Sequence, residues 1–238
     1  MAMYYNGKKV RNLYYNGKCI TRLALGKEMT RLVEGEDFVR AEWLIGDGTA
    51  YINTLHNTNE DLDWVTKVDN IRDNTFLFWF RTIKGMGDES MIVRTTPSRF
   101  RYANNSNEFE GSLTSQPINV ETFGTTIFIN GIGHSITKYY PRPSILFRLF
   151  YAEVDASSQA TVDTDYTTNH VKCAYFALRN GNVYVMHLTP CRLLRPIPAA
   201  LDANGIARNA DECGMYDSVS GKFYGNVASS GTFTVSDN

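Results

Sequence analysis

Residues 214–226 read Gly214-Met215-Tyr216-Asp217-Ser218-Val219-Ser220-Gly221-Lys222-Phe223-Tyr224-Gly225-Asn226. The pair Asp217-Ser218 favours an Asx turn, in which a side-chain oxygen accepts a hydrogen bond from the backbone two residues ahead. Ser220-Gly221 favours a tight reversal, because glycine adopts positive φ angles without steric cost. Tyr216, Phe223 and Tyr224 flank these turns and would cover one end of a sandwich. We interpret the segment as a fold-closing element and not as a site.

The rest of the chain reads as many short strands separated by Gly and Asn turns, with weak helical periodicity. Phe76-Leu77-Phe78-Trp79-Phe80 is apolar on both faces and suits a central strand of a packed sandwich. Asn130-Gly131 and Asn180-Gly181 are hairpin signals. We expect strands at residues 39–45, 49–54, 64–68, 75–83, 91–95, 99–103, 107–113, 118–122, 125–130, 144–154, 171–179 and 182–188. This pattern predicts an all-β fold, a two-sheet antiparallel jelly-roll sandwich spanning residues 38–238.

Three near-copies of one segment precede that domain, at residues 4–13, 14–23 and 24–32. Asn6-Gly7 and Asn16-Gly17 predict hairpins, and simple register predicts a meander with strands near 1–5, 8–15, 18–25 and 28–33. Repeats this small bury no core alone and stack on other copies or on a partner. We therefore predict a docking and oligomerisation element at residues 1–34, whose candidate contact residues are Tyr4, Tyr5, Val10, Leu13, Tyr14, Tyr15, Ile20, Leu23, Met29 and Leu32.

Composition excludes several classes of protein. The hydrophobic share of 43% and charged share of 21% are typical of a globular chain, and the net charge of −1 gives no electrostatic reason to bind nucleic acid. No apolar run is long enough for a membrane span, so we expect no membrane insertion. Residues 1–10 lack the apolar core of a signal peptide. We expect a protein made in a host cytoplasm that leaves by lysis or inside a particle.

The four cysteines are Cys19, Cys173, Cys191 and Cys213, with no C-x-x-C pair. An Asn180-Gly181 hairpin with a two-residue loop would place Cys173 opposite Leu188 and Cys191 opposite His170. The two thiols then do not face each other, and we expect free buried cysteines.

No constellation predicts catalysis or a metal. Glu108 and Glu110 share one strand face without the third acid of the jelly-roll hydrolases, and Asp88-Glu89 lies in a Gly-rich loop, so surface acids are the better interpretation. Three loosely spaced acids of one polar loop do not make a calcium site, and the histidines lack metal-ligand spacing. The acids are Asp155, Asp163 and Asp165, and the histidines are His56, His134, His170 and His187. We expect no enzyme activity, no cofactor and no metal.

One loop is a candidate for ligand binding, residues 139–143, with the sequence Tyr139-Tyr140-Pro141-Arg142-Pro143. Proline holds the backbone extended, and the exposed rings of Tyr139 and Tyr140 could stack on a sugar or enter a protein groove, with Arg142 beside them. The alternative is an ordinary Pro-rich connection whose tyrosines pack down.

Several segments resemble laminin-G-like, concanavalin-A-like jelly rolls. They are residues 42–54 (EWLIGDGTAYINT), 172–178 (KCAYFAL), 194–199, the closing segment 214–226 and the Gly231-Thr232-Phe233 that follows it. Such domains are common in bacteriophage structural proteins and occur in bacterial surface proteins. The Gly-Lys-x-Val pattern of the N-terminal repeats is similar to leader segments of phage tail and fibre proteins.

The resemblance implies a non-enzymatic virion protein, a head fibre, capsid decoration or tail-fibre tip. The expected partners are other virion proteins and copies of the chain itself, as a homotrimer or higher oligomer, with a host-surface glycan as candidate ligand. The alternatives are a carbohydrate-binding module of a bacterial surface protein and a polysaccharide depolymerase.

Overall fold

A computed structural model describes backbone and side chains for residues 31–47, 49–56, 62–69, 117–136, 148–150 and 172–236. It describes the backbone alone for residues 4–5, 8–9, 13–15, 18–20, 57, 75–81, 90–96, 99–104, 107–112, 146–147 and 151–152. Among the described residues, no helix is both long and apolar enough to cross a bilayer.

The strands of the first half are β1 (Tyr4–Tyr5), β2 (Lys8–Lys9), β3 (Leu13–Tyr15), β4 (Lys18–Ile20), β5 (Phe38–Arg40), β6 (Trp43–Gly46), β7 (Ile52–Asn57), β8 (Asp63–Asp69), β9 (Thr75–Arg81), β10 (Ser90–Thr96), β11 (Arg99–Asn104) and β12 (Asn107–Ser112). Those of the second half are β13 (Ile118–Phe123), β14 (Thr126–Ile129), β15 (Ile132–Ser135), β16 (Leu146–Leu149), β17 (Tyr151–Ala152), β18 (Lys172–Asn180), β19 (Val183–Leu193), β20 (Cys213–Asp217), β21 (Phe223–Tyr224) and β22 (Phe233–Ser236). One turn of 3₁₀ helix, Ala199–Leu201, lies in the connection between β19 and β20.

The larger part of the chain is organised around an eleven-stranded sheet. Eight of its strands follow the order β15-β14-β13-β8-β18-β19-β20-β21. The other three branch from this order: β6 pairs with β18, β5 pairs with β19, and β22 pairs with β6. Every pairing in this sheet is antiparallel. A five-stranded sheet, β12-β11-β10-β9-β17, and a two-stranded sheet, β16-β7, complete it. The predicted all-β sandwich is confirmed, with one parallel pairing, β17 with β9.

The main core lies between the large sheet and the β7–β16 pair. Leu44, Val68 and Phe176 of the large sheet lie in one buried cluster with Ile52 of β7 and Leu149 of β16. The burial pattern of β13 alternates along the strand, as expected when one face of a sheet is covered and the other open. The two layers thus share a single apolar interior.

A second core covers the opposite face of the large sheet at its β19–β20–β21 end. It consists of Leu32, Phe38, Cys191, Leu193, Ile197, Leu201, Tyr216 and Phe223. Successive residues of a strand point to opposite faces, and Met215 belongs to the main core while Tyr216 belongs to the second. The closing strands are therefore buried on both faces, which explains why their sequence is so rich in large side chains.

The closing segment forms the turn that its sequence predicts. The carboxylate of Asp217 accepts hydrogen bonds from the backbone N–H of Val219 at 3.0 Å and of Ser220 at 3.1 Å. Gly221 has a φ of 77° and donates its N–H to the carbonyl of Asp217 at 2.8 Å. Tyr216, Phe223 and Tyr224 are all buried, so the Asx turn and the aromatic closure are confirmed.

The chain divides into two compact units, Met1–Thr30 and Arg31–Asn238. In the first, β1 pairs with β2 around Asn6-Gly7, and β3 pairs with β4 around Asn16-Gly17, which confirms both predicted hairpins. The described strands form two separate two-stranded sheets, and residues 10–12 and 21–30, which the predicted meander needs to connect and extend them, lie outside the described residues.

The unit boundary lies earlier than the predicted one after residue 34. Leu32, expected among the docking residues, is instead buried in the second core of the larger unit, because its apolar side chain packs with that core. Tyr4, Tyr5, Leu13, Tyr14, Tyr15 and Ile20 lie on strands described by backbone alone, and Val10, Leu23 and Met29 lie outside the described residues.

Other strand boundaries differ from expectation for local reasons. The predicted strand 39–45 is two strands, β5 and β6, which pair with different neighbours. The predicted strand 144–154 is interrupted at Phe150, whose φ is 63°. The hairpin that Asn130-Gly131 predicts is present, with both residues at positive φ, and β15 is its second strand.

The predicted register of the β18–β19 hairpin was wrong. Its loop is Gly181-Asn182, one residue later than expected, and a bulge follows between Leu178 and Arg179, so Leu188 lies opposite Phe176. The thiols of Cys173 and Cys191 nevertheless do not face each other. Cys173 lies in the main core and Cys191 in the second, on opposite faces of the sheet, and both are free and buried. Burial raises the pKa of the Cys173 thiol to about 12.

Truncating the aromatic closure should destabilise the larger unit strongly. Phe223→Ala removes a fully buried ring, and we expect a loss of about 3–5 kcal/mol in the free energy of unfolding, measured by urea titration. Val219→Ala, in the same turn but 45% exposed, is the matched control and should cost no more than about 0.5 kcal/mol. Equal losses for the two variants would contradict the second core.

Candidate binding cleft beside the closing hairpin

The predicted ligand loop, with Tyr139, Tyr140 and Arg142, lies outside the described residues, as do Asp88, Glu89, Asp155, Asp163, Asp165 and His170. Glu108 and Glu110 lie on β12, two residues apart and thus on one face of the strand. The described part of the chain contains no group of three or more His, Cys, Asp or Glu side chains that could hold a metal ion. A candidate site must therefore be sought in features that the sequence did not single out.

A cleft of about 440 Å³ opens beside the closing hairpin. One wall is the loop that precedes β20, with Arg208, Ala210, Asp211 and Glu212, and the other is the segment between β21 and β22, with Asn226, Ala228, Gly231 and Thr232. Cys213 and Phe233, the first residues of β20 and β22, supply much of its apolar surface. The cleft combines polar walls with apolar patches, as small-molecule sites commonly do.

The first wall is organised by a buried ion pair between Asp202 and Arg208. The Asp202 carboxylate, 1% exposed, accepts hydrogen bonds from the backbone N–H groups of Asn204 at 2.8 Å and Ile206 at 3.2 Å, and from Arg208 Nε at 2.8 Å. Arg208 Nη1 donates to the carbonyl of Asn226 at 2.8 Å, which links the two walls. Arg208 Nη2 is buried and has no hydrogen-bond partner among the described residues.

The second wall is held by two polar side chains from distant parts of the sequence. Asn226 Nδ2 donates to the carbonyls of Ser230 at 3.1 Å and Gly231 at 2.9 Å, and its Oδ1 accepts from the N–H of Tyr51 at 3.1 Å. The carboxylate of Asp47 accepts from the N–H groups of Thr49, Ala50 and Thr232. Three of these hydrogen bonds reach the backbone of the wall itself, at Ser230, Gly231 and Thr232, and the other three connect the same two side chains to the backbone of residues 49–51.

These hydrogen bonds also affect the ionisation of Asp47. Partial desolvation raises the pKa of its carboxyl, but the N–H groups of Thr49, Thr232 and Ala50 outweigh it and lower the pKa from 3.8 to about 2. Folding therefore stabilises the ionised form of the Asp47 carboxyl group.

Charged groups around the cleft leave a small negative excess. Arg208 and Arg192 carry two formal positive charges, and Asp202, Asp211, Glu212 and Asp47 carry four negative ones, which leaves a formal charge of −2. Glu212 Oε1 accepts from the N–H of Asn209 at 2.7 Å, while Oε2 lies 3.5 Å from Arg208 Nη1 and its side chain is 32% exposed. The carboxylate of Glu212 thus retains acceptor capacity towards the cleft.

The open part of the large sheet's outer face is a second surface of interest. Arg179 Nη2, from β18, donates to Glu121 Oε1 on β13 at 2.7 Å, and the hydroxyl of Tyr175 donates to Asn119 Oδ1 at 3.4 Å. Both side chains reach over β8, which lies between β18 and β13. Burial, and next to it the charge of Glu121, raises the pKa of Tyr175. Arg179 Nε is buried without a hydrogen-bond partner among the described residues, but no cleft is found at this face in the described part of the chain, so it is a weaker candidate.

A Ser–His pair on β19 and the closing turn resembles part of a hydrolytic site. His187 Nδ1 lies 3.2 Å from Ser218 Oγ, and desolvation lowers the pKa of His187 although the charge of Asp217 opposes it. Asp217, however, accepts from the backbone N–H of His187 at 2.9 Å and from the turn backbone. In a hydrolytic triad the carboxylate orients the imidazole through its ring N–H, and Asp217 makes its bond to the backbone instead.

Comparisons with known proteins give a likeness in fold alone. No family model and no curated protein matches the chain. Among solved structures, domains LG4-5 of the mouse laminin alpha1 chain are similar, with 7% sequence identity and a TM-score of 0.40 over 83% of this chain. The match covers 52% of the laminin chain, so this protein spans about half of that structure. A likeness of this degree carries no argument about what the cleft binds.

Breaking the buried ion pair should destabilise the first wall. Asp202→Asn removes the negative charge beside Arg208 and leaves a buried cation without its counter-ion, so we expect a loss of about 3–5 kcal/mol in the free energy of unfolding by urea titration. Asp211→Asn is the matched control, because Asp211 is 77% exposed and pairs with a half-exposed Arg192. It should cost at most about 1 kcal/mol. Similar losses in both variants would contradict a structural ion pair.

Asp47 should contribute to stability in a pH-dependent way. Since its pKa is lowered on folding, its contribution is present above pH 3.8 and is lost as the pH falls towards about 2. The difference in free energy of unfolding between the wild type and Asp47→Asn should shrink across that window, measured by urea titration at each pH. A difference that stays constant with pH would refute the role of the charged form.

Proposed function

We propose that this chain is a non-enzymatic structural protein of a bacteriophage virion. The N-terminal repeats attach the protein to the particle and bring copies together as a homotrimer or higher oligomer. The sandwich is then displayed outward as a head fibre, capsid decoration or tail-fibre tip, where it can adhere to a host-surface glycan. The support comes from the repeat, from the resemblance of the closing segment and, above all, from the division of the chain into two unlike units.

The division into units carries the proposal. The larger unit builds a main core and a second core from residues 32–233, so it has the interior that an independently folded domain needs. The described strands of the first unit form two-stranded hairpins only, β1 with β2 and β3 with β4. An isolated two-stranded hairpin is marginally stable in water. A small repeat unit beside a self-sufficient domain fits a part that becomes ordered on a partner or on other copies.

The chemistry of the described residues supports display in preference to turnover. The one Ser–His pair described above lacks a carboxylate bonded to the imidazole ring within the described part of the chain, and Asp217 instead stabilises the turn. We keep polysaccharide depolymerase as a less favoured alternative. The test is depolymerase activity of the wild type and of the Glu108→Gln and Glu110→Gln variants. Activity that is lost in the variants would support this alternative, and activity that the variants retain would contradict it.

A second candidate function is a carbohydrate-binding module of a bacterial surface protein. The cleft beside the closing hairpin favours it, because a pre-formed concave site is more than a purely architectural protein needs. The two candidates differ in location. A virion protein is present in purified phage particles, whereas a bacterial surface module is present in cell-surface fractions and absent from particles.

Removal of the first unit should separate assembly from folding. A truncated protein that begins at Arg31 should stay folded and monomeric in light scattering and should no longer join particles, whereas the full chain oligomerises. A protein that begins at Gly35 also loses the buried Leu32 and should be less stable by about 2–5 kcal/mol, as for truncation of a buried leucine. The proposal fails if the protein that begins at Arg31 keeps the assembly state of the full chain.

A further inference from the structure

We propose that the cleft between residues 208–213 and 226–233 binds one uncharged saccharide unit of a glycan. The inference rests on the proposed display function, which brings the domain to a glycan-covered surface, and it assigns the ligand class and the place of binding. It is distinct from the Tyr139–Tyr140 loop that the sequence suggested.

Size and lining define the first constraint. A volume of about 440 Å³ lies within the range of small-ligand sites and accommodates a single sugar ring with its substituents. Phe233, Cys213 and Ala228 offer apolar surface to the C–H groups of the ring, while Glu212 and Thr232 lie on the polar walls. A ring with apolar faces and hydroxyls around its edge matches this division.

Hydrogen-bonding capacity defines the second constraint. Glu212 Oε1 accepts a hydrogen bond from the N–H of Asn209, while Glu212 Oε2, 3.5 Å from Arg208 Nη1 on a side chain that is 32% exposed, keeps acceptor capacity. A hydroxyl group both donates and accepts, so a sugar hydroxyl in the cleft can donate a hydrogen bond to Glu212 Oε2.

Charge defines the third constraint. The formal charge of the surrounding groups is −2, and two carboxylates, Asp211 and Glu212, line the cleft. An anionic ligand would be repelled by these carboxylates, and an ammonium ligand would meet the Arg208 guanidinium. A neutral ligand avoids both penalties, which separates this site from one for phosphate, sulfate or an acidic sugar.

Rigidity of the walls favours binding of a small ligand. Asn226 and Asp47 fix the second wall by side chain to backbone hydrogen bonds, and Asp202 fixes the first. At Gly231, an added Cβ would lie 2.1 Å from Thr49 Oγ1, so the two loops touch closely there. A site that is already ordered loses little conformational entropy on binding, which matters most for a weak, single-sugar ligand.

The test is saturation-transfer NMR on the full-length protein with four neutral probes, glucose, galactose, mannose and N-acetylglucosamine, and with glucuronate as an acidic counterpart of glucose. We expect a signal for at least one neutral sugar, with a Kd of about 1 mM, and none for glucuronate. Ala228→Leu fills the cleft and should weaken binding at least about tenfold, which is about 1.4 kcal/mol. Ala200→Leu, the same change at an exposed position outside the cleft, should bind as the wild type does.

Thermal melting shows whether each variant is folded, and Glu212→Gln replaces Ala228→Leu if the latter does not fold. Glu212→Gln should also weaken binding. The proposal is overturned if none of the four neutral sugars binds. It is also overturned if the folded cleft variant binds a sugar as tightly as the wild type does, or if glucuronate binds as well as glucose. If the protein is present in purified particles but binds no sugar, the cleft proposal fails and the virion role stands. If the protein binds a sugar but is absent from particles, the virion role fails and the cleft proposal stands.

Discussion

Burial of the closing strands on both faces is the constraint on which the architecture depends. Along β20 and β21, neighbouring residues enter different interiors: Met215 and Tyr224 join the main core, while Tyr216 and Phe223 join the second. A shift of one residue in register would exchange these sets and place every side chain in the wrong interior. The Asx turn at Asp217 fixes the register, since its carboxylate binds the backbone of Val219 and Ser220.

The second core makes residues 31–38 part of the sandwich. Phe38 stacks on Tyr216 with ring centroids 4.4 Å apart, and Leu32 lies in the same cluster. Asp37, fully buried, accepts a hydrogen bond from the N–H of Val33 at 2.7 Å and pairs with Arg195. Residues 32, 37 and 38 thus hold this acidic segment on the domain, while Val33, Glu34 and Gly35 stay exposed.

Buried or well-bonded polar side chains fix the loops that form the cleft. Asp202, Asn226 and Asp47 each accept backbone N–H groups, which satisfies loop backbone that lacks a strand partner. Glu212 has a double role, since its Oε1 holds the backbone of Asn209 while its Oε2 keeps capacity for a ligand. Ala228 makes no side-chain hydrogen bond, so a substitution there affects binding more directly than one at Glu212.

Local sequence determined the turns and the class of fold. Asn6-Gly7, Asn16-Gly17, Asn130-Gly131 and the Asp217 turn all lie where adjacent residues predict them, because turn geometry depends on a few neighbouring φ and ψ angles. The cleft was not predictable in this way, since Asp47 and Thr232 are 185 residues apart and neither has a pattern that indicates the other. The burial of Leu32 and the bulge that shifts the β18–β19 register likewise depend on contacts across the sheet. The sequence by itself thus specified an all-β sandwich with its hairpins, and only the tertiary structure decided the second core and the cleft, because both arise where distant segments meet.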